Sequence, residues 1–304
     1  MGQNEKSSVV HCGREITGQQ LAEIRETTEL FHRLSRWELA QSICEHLGWM
    51  TATGTCKVHA CLKLLDKLET EGFIRLPAKR KWRRRKITEP LPQTERTNPA
   101  NEISGKLTDI GPVHLEVVSE KEQSALWNEY VNRYHYLGYR KPFGCVLRYF
   151  IVSAQGYLGC VLLAGAAKSV GARDRWIGWT QKKRLNNLPW VVNNSRFLIF
   201  PWIRAKYLAS HVLGQLSRRV KKDWYEHWGY RPMLLETFVD PTLFRGTCYQ
   251  AAGWIKLGKT TGEGLPRQGC AYTTTPKWIY VRPLEKDFRL KLCSDMLTGR
   301  EEHE

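Results

Sequence analysis

One segment of the chain constrains its folding more than any other: seven of the eight residues from 79 to 86 are Lys or Arg. Such a run cannot fold by itself, because like charges repel each other and it has no apolar face. It therefore separates an N-terminal part from a larger C-terminal part. Against a phosphate backbone the same run releases counterions and gains affinity without reading base sequence. A solvated linker is the other interpretation, and the two are compatible.

The charge balance of the whole chain points to a polyanionic partner. The 304 residues include 47 Lys and Arg but 30 Asp and Glu, which gives a formal net charge of +17 and a pI near 9.6. Nucleic acid and anionic membrane are the usual partners of such a surplus. The longest apolar stretches, such as residues 157–167, are too short to span a bilayer, and residues 1–10 lack the apolar core of a signal peptide. We therefore expect a cytoplasmic protein that binds DNA and no membrane.

The cysteine pattern favours reduced thiols. There are nine Cys residues and no C-x-x-C pair, and in a chain without an export signal such residues usually act as small buried hydrophobes. A zinc site built from Cys44, Cys56, Cys61, His46 and His59 is disfavoured, since zinc ligands usually come from two tight pairs.

Two helix starts can be read in the N-terminal part. Thr17 is a candidate N-cap for a helix whose apolar residues follow a 3.6-residue period. Ser35 caps a second helix over residues 36–47, and Glu38 completes a capping box there. We therefore expect two well-defined helices before residue 48.

A third helix is predicted from about residue 55 to 71, with Gly72 as its C-terminal glycine and a short strand over residues 73–77. This order is typical of a winged helix, which places its third helix in the DNA major groove. Lys57 and Lys63 lie on the outer face of that helix and are predicted to contact phosphates. Residues 14–78 are thus predicted to be a winged-helix-like DNA-binding module. A helical module that binds protein is the alternative.

The rest of the chain divides into a basic linker over residues 79–109, a domain over residues 110–293 and a polar tail over residues 294–304. Strand and helix patterns alternate in the domain, which predicts a mixed α/β (α+β) fold. The predicted strands are residues 115–118, 146–153, 158–166, 196–200, 233–239 and 278–283, and the predicted helices are residues 121–134, 208–224 and 241–252.

Five motifs resemble those of the DruA family, and the resemblance runs from about residue 14 to residue 293. They are RYHYLGY at 133–139, RDRWIGW at 173–179, NNSRFLI at 193–199, LETFVD at 235–240 and GTCYQAA at 246–252. The N-terminal helices and the sequence YVRPL at 280–284 resemble the family too. The resemblance implies a bacterial protein of Druantia anti-phage systems, with relatives that are fused to or associated with transposases.

A second resemblance concerns the fold. From Arg196 onward, the order of strand, long helix, strand, helix and strand resembles the back half of a GNAT acyltransferase. Tyr249 precedes Gly253 by four residues, as does a tyrosine that can protonate the coenzyme A thiolate in that family. The corresponding phosphate loop falls at residues 211–216, where Gly214 fits but the bulky Leu216 would keep phosphate from the backbone. A GNAT-like fold is therefore expected, and acyl transfer with coenzyme A is a less favoured alternative.

Carboxylates suggest a metal site for DNA processing. Asp174, Glu236 and Asp240 are the candidate ligands of Mg²⁺, because hard oxygen ligands suit that ion. Glu236 lies within an apolar strand, so it needs a partner. That partner is either the metal or, in a structural ion pair, Arg196 or Arg175. Asp240 is also a candidate helix cap.

Covalent catalysis by tyrosine is the other route to DNA strand transfer. Tyr134, Tyr136 and Tyr249 are the candidates, and packing in the core is the alternative for each. We expect Glu236, Asp240 and Tyr249 to meet in one cleft at the C-terminal edge of the central sheet. Arg196 should lie beside them.

Basic residues of the C-terminal part are candidate DNA contacts, namely Arg173, Arg175, Arg218 and Arg219. Tryptophans are interleaved with them, which suits single strands or distorted duplexes. Three functions remain open: a DNA-processing, transposase-like enzyme of a mobile element or defence system, a non-catalytic DNA-binding subunit that recruits a helicase or transposase, and an acyltransferase. Partner proteins of the system or a homodimer are compatible with the first two.

Overall fold

The computed structural model describes residues 8–31, 34–78, 91–142, 144–262 and 275–295. Contacts divide the chain into two compact units. One contains residues 1–88, 180–186 and 295–304, and the other contains residues 89–179 and 187–294. In the described parts, no helix is long and apolar enough to cross a membrane.

The first unit contains a β-hairpin followed by three helices. Its elements are β1 (Ser8–His11), β2 (Arg14–Thr17), α1 (Gly18–Leu30), α2 (Arg36–His46) and α3 (Val58–Thr70). Thr17 and Ser35 cap α1 and α2, and each takes part in a capping box. The two predicted helix starts are therefore confirmed, whereas the hairpin was not predicted.

The core of the first unit is formed by the inner faces of the helices. Leu65 is fully buried in it, and Gly72 ends the third helix with a positive φ of 73°. Residues 73–77, predicted as a strand, have no regular structure. Ile74 and Leu76 are still buried there, and the Leu76 amide donates to Glu69 Oε1 at 3.1 Å. The Glu69 side chain thus supplies the acceptor that a neighbouring strand would supply in a sheet. The prediction of a strand over residues 73–77 is wrong.

The second unit is built on a mixed sheet of seven strands in the order β10-β11-β9-β7-β6-β5-β4. The strands are β4 (His114–Val117), β5 (Leu147–Ser153), β6 (Gly156–Gly165), β7 (Val191–Ile199), β9 (Leu234–Val239), β10 (Ile255–Lys259) and β11 (Trp278–Pro283). A separate parallel pair joins β3 (Ile103–Gly105) to β8 (Ile203–Ala205). The helices are α4 (Lys121–Tyr134), α5 (Gly171–Ile177), α7 (Leu208–Trp228), α8 (Thr247–Ala251) and α9 (Phe288–Leu292). One further helix, α6 (Gln181–Asn187), contributes its residues 181–186 to the first unit.

The arrangement of the strands positions the candidate site. All neighbours in the large sheet are antiparallel except β7 and β9, which are parallel. Those two strands pair over three positions, from Val191 with Leu234 to Asn193 with Glu236. Beyond this point each continues without the other as its partner. From β7 onward the chain runs through β7, α7, β9, α8 and β10, with the short β8 before α7 and β11 after β10. This order of strand, helix, strand, helix and strand confirms the mixed α/β, GNAT-like fold class.

Two segments differ from their predicted roles. Residues 91–109, predicted as part of a linker, pack against α4: Thr97 is fully buried, and its hydroxyl donates to Glu129 at 2.6 Å. The predicted helix over residues 241–252 is restricted to Thr247–Ala251. Asp240 prevents an earlier start, because its carboxylate accepts from the Thr242 amide and hydroxyl and holds a turn.

Candidate functional site

A cavity of about 480 Å³ opens where β7 and β9 diverge, and we name it the β7–β9 cleft. Most of its lining comes from four parts of the second unit, and Pro201 and Ala209 complete it. The four parts are the end of α4 with residues 134–137, the second half of β7, the strand residues 237–239, and the segment 244–249 that leads into α8. The cleft therefore lies at the break in the sheet, where two strands stop pairing.

A β-bulge sets the direction of the side chains on β7. Leu163 pairs with Asn194 but Leu162 pairs with Arg196, so Ser195 is an extra residue. Bulges redirect side chains in this way. Asn194 and Phe197 both line the cleft, although strict alternation would place them on opposite faces.

Asn194 carries the most unusual polar group of the cleft. The residue is 3% exposed, and its backbone carbonyl accepts from the Thr237 hydroxyl at 2.9 Å. In the described part of the chain, neither Nδ2 nor Oδ1 of its side chain has a hydrogen-bond partner. A buried amide without partners costs free energy. Its two polar atoms are therefore available to a group that enters the cleft.

Tyr249 forms an aromatic wall of the cleft. Its ring stacks on Tyr280 with centroids 5.6 Å apart and meets Phe197 edge-on at 6.1 Å. Burial raises the pKa of Tyr249 well above its usual value, while the Thr237 hydroxyl opposes that shift. The phenol therefore keeps its proton at neutral pH, which opposes its predicted role as a nucleophile.

His135 occupies another wall, at the end of α4. Burial lowers the pKa of His135 to about 4, and the positive charges of Arg196 and Lys277 act in the same direction. Its Nδ1 accepts from the Leu137 amide at 3.2 Å, so Nε2 carries the proton of the neutral ring. Arg196 steadies this segment, because its Nε donates to the Gly138 carbonyl at 3.0 Å.

Glu236 lies away from the cleft, in a buried ion pair. Arg173 Nη1 is 2.7 Å from its Oε2, and the Ala167 amide donates to its Oε1 at 2.8 Å. Burial raises the pKa of Glu236, and the attraction of Arg173 opposes that change. Successive side chains of a strand point to opposite faces, and it is Thr237 that lines the cleft. The expected meeting of Glu236 with Tyr249 is therefore corrected, and its ionic partner is Arg173 rather than Arg196 or Arg175.

The other two predicted metal ligands hold local structure. Asp174 accepts from the Val170 amide, Arg173 and the Trp179 indole. Hydrogen bonds from Thr242 lower the pKa of Asp240, and Thr275 donates to it as well. Among the described residues, no group of three or more His, Cys, Asp or Glu side chains is placed to hold a metal ion. The predicted Mg²⁺ set of Asp174, Glu236 and Asp240 is thus not assembled there.

The predicted DNA contacts fall into three groups. Arg173 is fully buried, and Arg219 is bound to Asp223 at 2.6 Å and to the Leu115 carbonyl. This corrects the predicted exposure of Arg173. Exposed side chains are found at Lys63, Arg175 and Arg218, and Lys57 is half-buried. The basic run lies outside the described residues, and it contains the predicted contacts Lys79, Arg80, Lys81, Arg83, Arg84, Arg85 and Lys86.

The predicted phosphate loop is also misplaced. Residues 211–216 lie within α7, which begins at Leu208. Leu216 is fully buried, so its side chain belongs to the core. The residue before the helix is Tyr207, an N-cap with a positive φ of 65°. The free amides of the helix start are therefore next to Tyr207, one turn earlier than the sequence suggested.

Asn194, Thr237 and His135 were not among the predicted site residues, although His135 lies between the two candidates Tyr134 and Tyr136 in the sequence. The paired asparagines at 193 and 194 within an apolar strand were the available signal, because such positions need partners. The bulge that separates the directions of Asn194 and Arg196 has no sequence marker of its own.

Comparisons with known proteins identify a family and a set of distant structures. The family described as "Druantia protein DruA" matches residues 67–278. No curated protein matches the chain. Aminoglycoside acetyltransferase AAC(6')-Ib with coenzyme A and kanamycin is 17% identical, over 57% of this chain and 95% of that one, with a TM-score of 0.38. FeeM, an N-acyl amino acid synthase from uncultured soil microbes, is 10% identical over 62% of this chain and 97% of its own, with a TM-score of 0.35.

Proposed function

This chain belongs to the DruA family, and from that membership we propose that it serves an anti-phage defence system as a DNA-binding subunit. The observation that carries the proposal is the distribution of charge along the sequence. Residues 79–86 include seven Lys or Arg and no acid, and residues 110–293 include 28 Lys or Arg against 12 Asp or Glu. Surfaces of this kind attract the phosphate backbone.

The helical module contributes less charge than its resemblance to a winged helix suggests. Residues 14–78 include eight Lys or Arg and nine Asp or Glu. Most of the non-specific affinity should therefore come from the basic run and from the second unit. The exposed cations of that unit include Lys168, Arg175, Lys206, Arg218 and Arg245. Lys57 and Lys63 would then orient α3 rather than supply most of the binding free energy.

Binding without strand cleavage fits the site better than metal-dependent processing. Glu236 is occupied by Arg173, and Asp240 by Thr242 and Thr275. Tyr249 keeps its proton because burial raises the pKa of that phenol. The chain would thus hold DNA for a separate helicase or nuclease of the system.

Two measurements on the full chain test this function. Fluorescence anisotropy with labelled duplex and single-stranded DNA should show binding that weakens steeply as salt increases. A nicking assay on supercoiled plasmid with Mg²⁺ should leave the plasmid intact. Absence of DNA binding at low salt would exclude the proposal, and Mg²⁺-dependent nicking would replace the subunit role with an enzymatic one.

A further inference from the structure

We propose that the β7–β9 cleft accepts one unpaired nucleobase, turned out of the strand that the protein holds. This inference rests on the proposed DNA binding and specifies which part of the nucleic acid the second unit takes up. It differs from reading a duplex groove, because the ligand is a single base whose edges and faces are free.

The lining of the cleft suits a planar aromatic ring. Tyr249 and Phe197 present rings from α8 and β7, while Tyr134, Tyr136 and Phe244 contribute from the mouth. Every base has a π-face, so stacking on such side chains does not depend on its identity. The volume of about 480 Å³ exceeds what one base needs.

The unpartnered amide of Asn194 argues for a polar ligand. It presents one donor, Nδ2, and one acceptor, Oδ1, from a residue that is 3% exposed. The edges of nucleobases carry donors and acceptors side by side, and asparagine pairs with them in a bidentate way. A purely apolar occupant such as an acyl chain would leave both atoms unsatisfied.

The residues at the mouth of the cleft suit the sugar and phosphate of a nucleotide whose base lies inside. Tyr136, Leu137 and Phe244 are 43%, 40% and 52% exposed, and clustered exposed apolar groups of this kind mark binding sites. Arg245 lines the same mouth and is exposed. Lys277 lies with its Nζ 6.0 Å from the centre of the Tyr136 ring. A base inside the cleft would therefore leave its phosphates near cations outside.

The cleft should favour an unpaired base, because a paired base must first be turned out of its duplex. Turning a base out of a duplex breaks pairing and stacking, and the cost is least for single strands, mismatches or damaged sites. The protein would thus prefer single-stranded or distorted DNA to intact duplex.

The test uses the full chain, two variants and two ligands. Asn194→Leu removes the amide from the cleft. Asn193→Leu is the matched control, because Asn193 is the same residue type on the same strand but does not line the cleft. The ligands are a mixed-sequence 12-nucleotide single strand and a strand of equal length made of tetrahydrofuran abasic units. Affinities are measured by anisotropy, and the melting temperature of each variant is recorded.

The expected result is that the effect of Asn194→Leu on affinity depends on whether the strand carries bases. Asn194→Leu should weaken binding of the normal strand on the order of tenfold, as for the loss of one base contact, and leave the abasic strand unaffected. Asn193→Leu should weaken neither ligand. Equal effects of Asn194→Leu on both ligands, or no effect on either, would overturn the proposal while DNA binding itself stands.

Two further measurements keep the test decisive. If Asn194→Leu does not fold, Asn194→Ala removes the amide without adding bulk or charge and is expected to give the same pattern. A 2-aminopurine nucleotide in the strand should change its fluorescence on binding to the unmodified protein. Displacement of the strand by coenzyme A, with no response from 2-aminopurine, would show instead that the cleft is an acyl-carrier site. Failure of the protein to bind either strand would count against the DNA-binding function itself.

Discussion

Arg173 Nη1 and Glu236 Oε2 lie 2.7 Å apart, and neither side chain has any exposed surface. The pair joins the first turn of α5 to the centre of β9, and Asp174 shares the same guanidinium at 2.8 Å. Removing the charge of Glu236 would break the ionic contact between α5 and β9 and leave Arg173 with Asp174 as its ionic partner. Breaking a buried pair by changing one partner is strongly destabilising. The ion pair is therefore a structural element of the second unit.

The first prediction concerns this pair. Glu236→Gln should lower the free energy of unfolding by about 3–5 kcal/mol, the usual effect of breaking a buried pair. Urea denaturation measures it. Glu226→Gln is the control, since Glu226 is 61% exposed and pairs with Lys222 at 3.8 Å, so its loss should cost at most about 1 kcal/mol. Unchanged stability of Glu236→Gln together with lost defence activity would make Glu236 a functional residue.

The second prediction concerns the core of the helical module. Leu65 is fully buried, so Leu65→Ala should cost about 2–5 kcal/mol of stability by leaving a cavity. Leu30→Ala should be nearly neutral, because Leu30 is 64% exposed. Thermal or urea unfolding of the full chain separates the two variants. A neutral Leu65→Ala would show that the register of the third helix is wrong.

The third prediction is a loss of stability in acid that depends on His135. Its pKa in the folded chain is about 4 against a reference of 6.5. Between those values the unfolded chain binds a proton and the folded chain does not, so stability falls as pH decreases through that window. From pH 7 to pH 5 the loss from this residue should be about 2 kcal/mol.

His135→Gln should lose that part of the pH dependence, while His59→Gln should retain it, because His59 is exposed. Urea unfolding at the two pH values provides the comparison. Equal pH dependence in the unmodified protein and in His135→Gln would mean that the imidazole is solvated in the folded state.

The fourth prediction concerns the basic run. Replacing Arg80, Arg83, Arg84 and Arg85 by Gln should reduce the slope of log affinity against log salt by about three to four units, since each phosphate contact contributes roughly 0.9 on duplex DNA. Anisotropy titrations over a range of salt concentrations measure the slope. Replacing Arg25 by Gln adds a comparison outside the run, and the slope should change little, because Arg25 is 51% exposed and pairs with Glu29 at 3.1 Å. An unchanged slope after all four substitutions would show that residues 79–86 are a solvated linker that does not contact DNA phosphates.

Local signals in the sequence predicted local structure well. The caps at Thr17 and Ser35 depend on residues three positions away, and both helices start where expected. The helix over residues 121–134 is confirmed to its ends. Asp240 misled the prediction after β9, because an aspartate can hold a turn as readily as it can cap a helix.

Contacts between residues far apart in the sequence were harder to predict. Tyr249 was assigned to a cleft at the sheet and lines one. The partner of Glu236 lies 63 positions away, and several arginines matched it equally well in the sequence. Asn194 was part of a recognised motif, but its role depends on a bulge and on the separation of two strands, which no single segment encodes.

The short seam between β7 and β9 has a mechanical consequence. Three residue pairs join them, whereas β6 and β7 are joined over seven. We therefore expect the two parts of the sheet, β4–β7 and β9–β11, to be able to rotate relative to each other about residues 191–193. Such a rotation would change the width of the β7–β9 cleft without breaking a backbone hydrogen bond within either part of the sheet. A ligand that contacts both parts of the sheet would restrain this rotation. Its binding should slow amide hydrogen exchange at the paired residues of β7 and β9 more than at the outer strands.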